Sequence, residues 1–340
     1  MKRPIAGKTN TRLKSGKLSG NREELAKGHI DRALREIHKK MIDLFHVDFT
    51  FFSNIKIVGE SEILDWLAKQ VEISLQGENL AYERAEWRQS YRFLLGGQLN
   101  YYFKNLAYYD QEKDTFCISK NLLENFPQTV ITTSVHELSE KMLSTLISPV
   151  LKKRSQALMK MFLQIEKIND IREMYELFNE YVELTYMSVF KEGCCEAISL
   201  HTLRHINPNR VNVDLLEEEL QTKHSECIGL LLNLEKVRKC IENAATVSPS
   251  LDTMKPTADI MEAKKQVVKA LRASPIIKVV SYYLGYPLAR AFIERYSLEA
   301  LKYVFEGCPP SKAEHFSHPQ TYLQLLQSRE LPQSPLGEPR

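Results

Sequence analysis

Glycine and proline are scarce in this chain, with 13 and 14 among 340 residues. A many-stranded all-β fold needs such turn residues about every 8 to 12 positions, so their scarcity disfavours that class. Apolar residues instead recur near the helical period over long stretches, as from Arg22 to Phe45. The sequence therefore predicts an α+β fold that is mainly α-helical and carries a small sheet.

Long apolar runs and closely paired cysteines are also missing. No segment reaches the roughly 18 consecutive apolar residues of a membrane span, and the first residues lack the apolar stretch of a secretory signal. None of the six cysteines forms a CxxC pair, and Cys194 and Cys195 are adjacent, which favours reduced thiols. We therefore expect a soluble, cytoplasmic protein without a membrane span. The sequence gives no indication of its oligomeric state.

Acidic residues are absent from the first 22 positions, which hold seven of the 46 basic residues. The other 39 basic residues face 43 acidic ones, so the rest of the chain carries a net charge of about −4. We expect 1–22 to be a basic, flexible tail. It lacks interleaved aromatic residues and a motif that reads bases, so nucleic acid is not the favoured partner.

Helical and strand patterns follow one another along the chain after this tail. They predict a helix over 22–45, a strand over 49–58, a helix from 61, a hairpin over 94–119, a helical turn over 121–126, and helices over 129–146, 151–168, 170–205 and 215–243. The stretch 244–257 is rich in Ser, Pro and Thr and predicts a surface loop or sub-boundary before helices resume. We expect one domain over 23–330, followed by a flexible tail over 331–340.

Glycine-rich phosphate loops are missing too, so nucleotide chemistry has no support. The informative motif is His136-Glu137-Leu138-Ser139-Glu140. On a helix, His136 and Glu140 share a face one turn apart, and Glu137 lies at the edge of that face. Two such ligands can hold one metal ion, and the carboxylate beside the first can take a proton from water on the metal. The same residues also fit an acidic early turn that only complements the helix dipole.

Three other segments occur in a suggestive order around this motif. Upstream, Leu106 to Asp110 and Thr115 to Ser119 form the predicted hairpin, and downstream Glu192-Gly193 lies on a later helix. The end of the chain adds a glycine-marked helix, Tyr283-Leu284-Gly285-Tyr286-Pro287, and then a proline-serine segment that leads into His318-Pro319-x-x-Tyr322. Over roughly 94–325, the arrangement resembles the gluzincin-type zinc metallopeptidases of the uncharacterised bacterial and archaeal kind.

The resemblance implies a zincin-like domain with an active-site helix and one zinc ion. It implies His136 and Glu192 as zinc ligands, Glu137 as general base and His318 as an oxyanion stabiliser. Glu140 stands where the family pattern has its second histidine. Glutamate is also a zinc ligand, so Glu140 is the expected third one, and its charge makes the metal a weaker activator of water.

Two further histidines allow a competing prediction. His201 and His205 are four residues apart, and with Glu196 they could form a separate metal cluster. Near a helix C-terminus, histidines more often satisfy terminal carbonyls. Glu196 itself lies one turn after Glu192 and either orients a ligand or is solvated.

The sequence thus predicts a zinc-dependent hydrolase of peptide bonds that acts on a peptide or protein substrate. The alternative is a catalytically inactive zincin-like scaffold that binds peptides or a protein partner. A third hypothesis, a helical nucleic-acid adaptor, rests on the basic tail alone.

Overall fold

The computed structural model describes residues 20–63, 66, 107–110, 112–125, 127–164, 168–206, 211–247 and 258–334. Within them the fold is α+β and mainly α-helical with one small sheet, as predicted. The first part comprises helix α1 (Gly20–Phe45), strands β1 (Asn54–Val58), β2 (Ala107–Asp110) and β3 (Thr115–Ser119), and helix α2 (Lys120–Asn125). The predicted helix beyond residue 66 and the first part of the predicted hairpin lie outside the described residues.

The remaining elements are all helical. In chain order they are α3 (Pro127–Gln164), α4 (Ile171–Ile206), α5 (Val213–Cys227), α6 (Gly229–Val247), α7 (Ala258–Val279), α8 (Ser281–Ile293), α9 (Ala300–Gly307), α10 (Ala313–Ser317) and α11 (Pro319–Gln327). No helix among them combines the length and apolar character needed to cross a membrane.

The sheet has the strand order β1-β3-β2. Strand β1 runs parallel to β3 with Ile55 opposite Phe116, and β2 runs antiparallel to β3 with Tyr109 opposite Phe116. All five residues of β3 are buried because it is the central strand. The antiparallel pair β2–β3 confirms the hairpin in its described part.

Side chains alternate between the two faces of the sheet, so each face meets a different apolar cluster. Ile55, Phe116 and Ile118 join the main core with the helices. Val58 and Cys117 lie on the opposite face with Tyr108, in a smaller cluster against which Trp66 packs. The sheet therefore presents one face to the helical layer that carries the predicted motif.

Helices α3 and α4 follow from local signals at their first residues. Proline at the first position suits α3, since its missing N–H would have no helical partner there. At the start of α4, the carboxylate of Asp170 accepts a hydrogen bond from the Arg172 N–H at 2.8 Å. Apolar side chains of α4, and of α3 from Val130 to Ile147, then join the main core.

Two predicted helix boundaries are wrong. The helices expected over 129–146 and 151–168 are one helix, since α3 continues through Pro149; an internal proline removes one hydrogen bond without necessarily ending a helix. Conversely, the single helix expected over 215–243 is two, because the chain turns at Ile228 between α5 and α6.

The first residues of the predicted C-terminal tail are bonded to the domain. Gln333 pairs with Tyr296 in an isolated bridge, and the Ser334 hydroxyl donates to the Ile293 carbonyl at 2.8 Å. Residues 335–340 and the basic tail over 1–19 lie outside the described residues.

Candidate metal centre

Helices α3, α4 and α8 pack around the candidate site. Among the described residues, α4 and α8 form the most extensive helix pair, followed by α3 and α4. A Cβ atom at Gly193 would lie 2.2 Å from the backbone carbon of Gly285. Only glycine permits this approach of α8 to α4, and Glu192 is the residue next to it on α4.

His136 is the centre of the polar contacts between α3 and α4. Its Nδ1 lies 2.9 Å from Glu196 Oε2, and its Nε2 lies 3.7 Å from Glu192 Oε2. Glu192 and Glu196 are four residues apart on α4, so one face of this helix brings both carboxylates to the imidazole. Of the two alternatives for Glu196, this contact with His136 supports the one in which it orients a ligand.

Cys195 completes a group of three side chains that could hold a metal ion. One ligand atom each from His136, Glu192 and Cys195 lies within 4.8 Å of the other two. Cys195 is three residues after Glu192 and faces the same side of α4. It is fully buried, and its neighbours His136 and Glu192 are residues that can bind metal.

These donors suit zinc. Zinc is bound by imidazole nitrogen, carboxylate oxygen and thiolate sulfur at roughly 2.0 to 2.3 Å. The 3.7 Å between His136 Nε2 and Glu192 Oε2 is close to the separation of two ligands on one tetrahedral ion. Because Glu196 engages Nδ1, the Nε2 lone pair is the one available to a cation.

Glu140, the third predicted ligand, has a different partner. Its Oε1 accepts a hydrogen bond from the ammonium of Lys191 at 2.5 Å. The same ammonium lies 3.4 Å from Glu192 Oε1. Lys191 therefore links α3 to α4 between two of the three predicted ligands. Metal binding by Glu140 stays a prediction.

Glu137 faces the sheet. Its Oε2 accepts a hydrogen bond from the Tyr109 N–H of β2 at 2.8 Å, and the residue is buried. Since β2 is an edge strand among the described residues, this N–H points away from β3 toward α3. The motif is therefore in contact with β2 through a backbone hydrogen bond.

A second polar network fixes the β2–β3 turn on α3. Asp114 has a left-handed backbone with φ of 46° and accepts hydrogen bonds from the Tyr109 hydroxyl, Ser53 and the buried Lys141. The Lys141 ammonium also donates to the Phe51 carbonyl at 3.0 Å. Lys141 follows Glu140 directly, so this network positions Tyr109 on the helix that carries the motif.

The charged groups of the site shift one another's pKa values. Burial by itself would lower the pKa of His136, but the carboxylates of Glu192 and Glu196 outweigh it and hold the pKa well above its ordinary value. Burial also disfavours the charged form of Lys191, and the attraction of Glu140 and Glu192 again raises its pKa well above the usual range. Without a metal ion these carboxylates favour the cationic form of both side chains, so His136 must give up its Nε2 proton when a metal ion binds.

The carboxylates divide into two kinds. Burial and the charge of Glu140 raise the pKa of Glu137 to about 8. Burial would also raise that of Glu192, but Lys191 and His136 reverse the effect and lower its pKa to about 2. Two neighbouring carboxylates with pKa values pushed apart are typical of sites where one group moves a proton and the other stays charged.

His318 and the second histidine pair lie apart from these contacts. The exposed His318 side chain has its Nδ1 3.0 Å from the Ser317 hydroxyl, and no hydrogen bond in the described part of the chain joins it to the His136 group. His205 Nδ1 lies 2.9 Å from the His201 carbonyl, as expected near a helix C-terminus. Among the described residues, these histidines form no metal group with Glu196.

Sequence reasoning missed Cys195 and Lys191. The spacing Glu192-x-x-Cys195 could have indicated the cysteine, since positions i and i+3 share a helix face. Lys191 left no comparable signal, because neighbouring helical positions diverge by about 100° and only the packing of α4 on α3 shows where the lysine points.

The chain matches no known family model, no curated protein and no solved structure.

Proposed function

We propose that this chain is a zinc-dependent hydrolase of peptide bonds with His136, Glu192 and Cys195 as the metal ligands. The observation that carries the proposal is the convergence of these three donors beside Glu137, whose carboxylate contacts an edge strand. A zinc ion held there would supply a Lewis acid that makes water acidic and polarises a carbonyl group.

The side chains have separate roles in this proposal. Glu196 holds the His136 Nδ1–H and leaves Nε2 for the metal. Glu137 takes the proton of the attacking water and delivers it to the leaving amine, for which a pKa of about 8 is well matched to neutral conditions. Cys195, whose pKa burial raises well above its usual value, must give up its proton when it binds the metal.

The peptide substrate and the compartment are part of the same proposal. In the described part of the sheet, the outer edge of β2 carries backbone groups on which an extended peptide can add as a further strand once the Tyr109 N–H is released from Glu137. All six cysteines are free, which supports a reducing compartment such as the cytoplasm.

The experiment combines elemental analysis with hydrolysis of a quenched fluorescent peptide library. Protein purified without a metal-affinity tag is expected to contain one zinc per chain and to cleave peptides. Glu137→Gln should keep the zinc and lose hydrolysis by at least roughly 100-fold, because the amide cannot accept the proton. Glu176→Gln, an exposed position on α4, is the matched control. Unchanged turnover in Glu137→Gln would overturn the role of the base.

The inactive scaffold is supported by one observation. Lys191 already places a cation between Glu140 and Glu192, so these carboxylates are compensated by the protein itself. This function is favoured if the purified chain contains no stoichiometric zinc and cleaves nothing while it still binds an extended peptide.

A further inference from the structure

Lys191 differs from an ordinary surface lysine. Its side chain is only 14% exposed and lies between two carboxylates that belong to different helices, Glu140 on α3 and Glu192 on α4. A buried ammonium is stable only where opposite charges surround it. The lysine is therefore a fixed part of the site.

The two carboxylates contact this cation at different distances and with different consequences for a metal ion. Glu192 meets the ammonium with Oε1 and turns Oε2 toward His136, so one oxygen stays available to a metal ion. Glu140 has the ammonium on Oε1 at 2.5 Å, the shorter of the two contacts. Charge-assisted bonds of this kind are strong, and they hold the Glu140 carboxylate toward Lys191.

We propose that Lys191 withholds Glu140 from a divalent cation at the His136 group and thereby makes Cys195 the third protein ligand. The inference rests on the proposed metal site. Without Lys191, Glu140 would compete with Cys195 for the metal ion, since it lies one turn after His136 on the same face of α3.

The ligand set decides which metals the site accepts. Two carboxylates with one imidazole suit hard ions as well as zinc, whereas a thiolate favours zinc and cobalt over magnesium and manganese. One lysine outside the ligand set thus changes the metal preference by selecting between an oxygen and a sulfur donor.

Cobalt titration of the full chain separates the two ligand sets, because thiolate ligation gives Co²⁺ a near-ultraviolet charge-transfer band. The parent is expected to show this band, and Cys195→Ser should weaken Co²⁺ binding by at least roughly tenfold. Lys191→Met should tighten binding by roughly tenfold or more, since it removes a positive charge beside the ion and releases a carboxylate. In the Lys191→Met background, Cys195→Ser should weaken Co²⁺ binding much less than it does in the parent. Lys191→Arg, which keeps the cation, should behave as the parent.

Several outcomes would overturn the inference. It fails if Lys191→Met binds Co²⁺ no more tightly than the parent, or if neither protein binds it. It also fails if Glu140→Gln weakens binding by tenfold in the parent, because Glu140 would then already be a ligand. The last test stands even if Lys191→Met does not fold.

The inference and the proposed function fail in different ways. If metal binding depends on Lys191 as described but no peptide is hydrolysed, the result contradicts the proposed function and leaves the inference standing. Binding of Co²⁺ by Lys191→Met but not by the parent overturns the inference, because Cys195 then completes no site in the parent, and it favours the scaffold.

Discussion

The contact between Glu196 and His136 is the simplest part of the site to test by one substitution. If Glu196 orients the imidazole, Glu196→Gln should weaken Zn²⁺ binding by about 10- to 100-fold, because the amide is a poorer partner for the Nδ1–H. Competitive titration with a chromophoric chelator measures this. Glu176→Gln is again the control, and equal affinities in the two variants would mean that Glu196 has no orienting role.

His201 should make the stability of the protein depend on pH. Its Nε2 is buried without a hydrogen-bond partner in the described structure. Burial, then the charges of His205 and Arg204, lower its pKa to about 4. The unfolded chain, with a pKa near 6.5, therefore binds the proton first, and the free energy of unfolding falls as the pH drops from about 6.5 toward 4.

Urea unfolding at pH values across this window measures the effect. His201→Gln is expected to show a shallower loss of stability between pH 6.5 and 4 than the parent, because the titrating group is gone. His29→Gln removes an exposed histidine from α1 and should leave the slope unchanged. Parallel curves for the parent and His201→Gln would contradict the assignment.

At the site, the sequence predicted residues that the fold brings together but not how they pair. His136 and Glu137 could be chosen because their types and helical spacing fit metal chemistry, and Glu192 was chosen from the resemblance. The pairing of Glu140 with Lys191 could not be predicted, since it depends on the rotation of α4 about its own axis. Cys195 was not among the predicted ligands, although it is fully buried beside His136 and Glu192.

Among the helices, the crossing of α4 and α8 is the contact most sensitive to substitution. Gly193→Ala should lower the free energy of unfolding by about 3 kcal/mol or more, since its Cβ would meet the backbone of Gly285, which has no side chain to move aside. Gly28→Ala is the matched control, because its Cβ meets nothing within 4 Å on the exposed face of α1. That change should stabilise the protein by about 1 kcal/mol.

Chemical denaturation of both variants tests the crossing. If Gly193→Ala and the parent had equal free energies of unfolding, helices α4 and α8 could move apart without destabilising the protein. A further expectation is that Gly193→Ala weakens metal binding, since Glu192 precedes this glycine.

Helix and strand types were predictable wherever the apolar period was long. The helix over 22–45 begins at Gly20 instead, and that over 170–205 agrees with α4 to within one residue at each end. Two predictions were wrong: the helix expected to end at 146 continues through Pro149, and the turn at Ile228 carries no proline and so gave no signal.

At the scale of the molecule, one core cluster joins residues from Leu34 to Leu326. The predicted sub-boundary at 244–257 therefore does not separate two cores in the described structure, because α8 follows it and packs on α4, which precedes it. A chain cut at a protease site inserted between 248 and 257 should stay together in native buffer. Size-exclusion chromatography measures this, and two separately eluting fragments would mean that each part folds on its own.

The hydrogen bond from Tyr109 to Glu137 has a consequence for the resting molecule. An outward amide on an edge strand normally exchanges its hydrogen with solvent quickly, but this one is held by a buried carboxylate, so we expect slow hydrogen exchange at Tyr109. The same N–H cannot serve Glu137 and an added peptide strand together. A peptide that pairs with β2 at this position therefore frees the carboxylate, and without one Glu137 stays occupied.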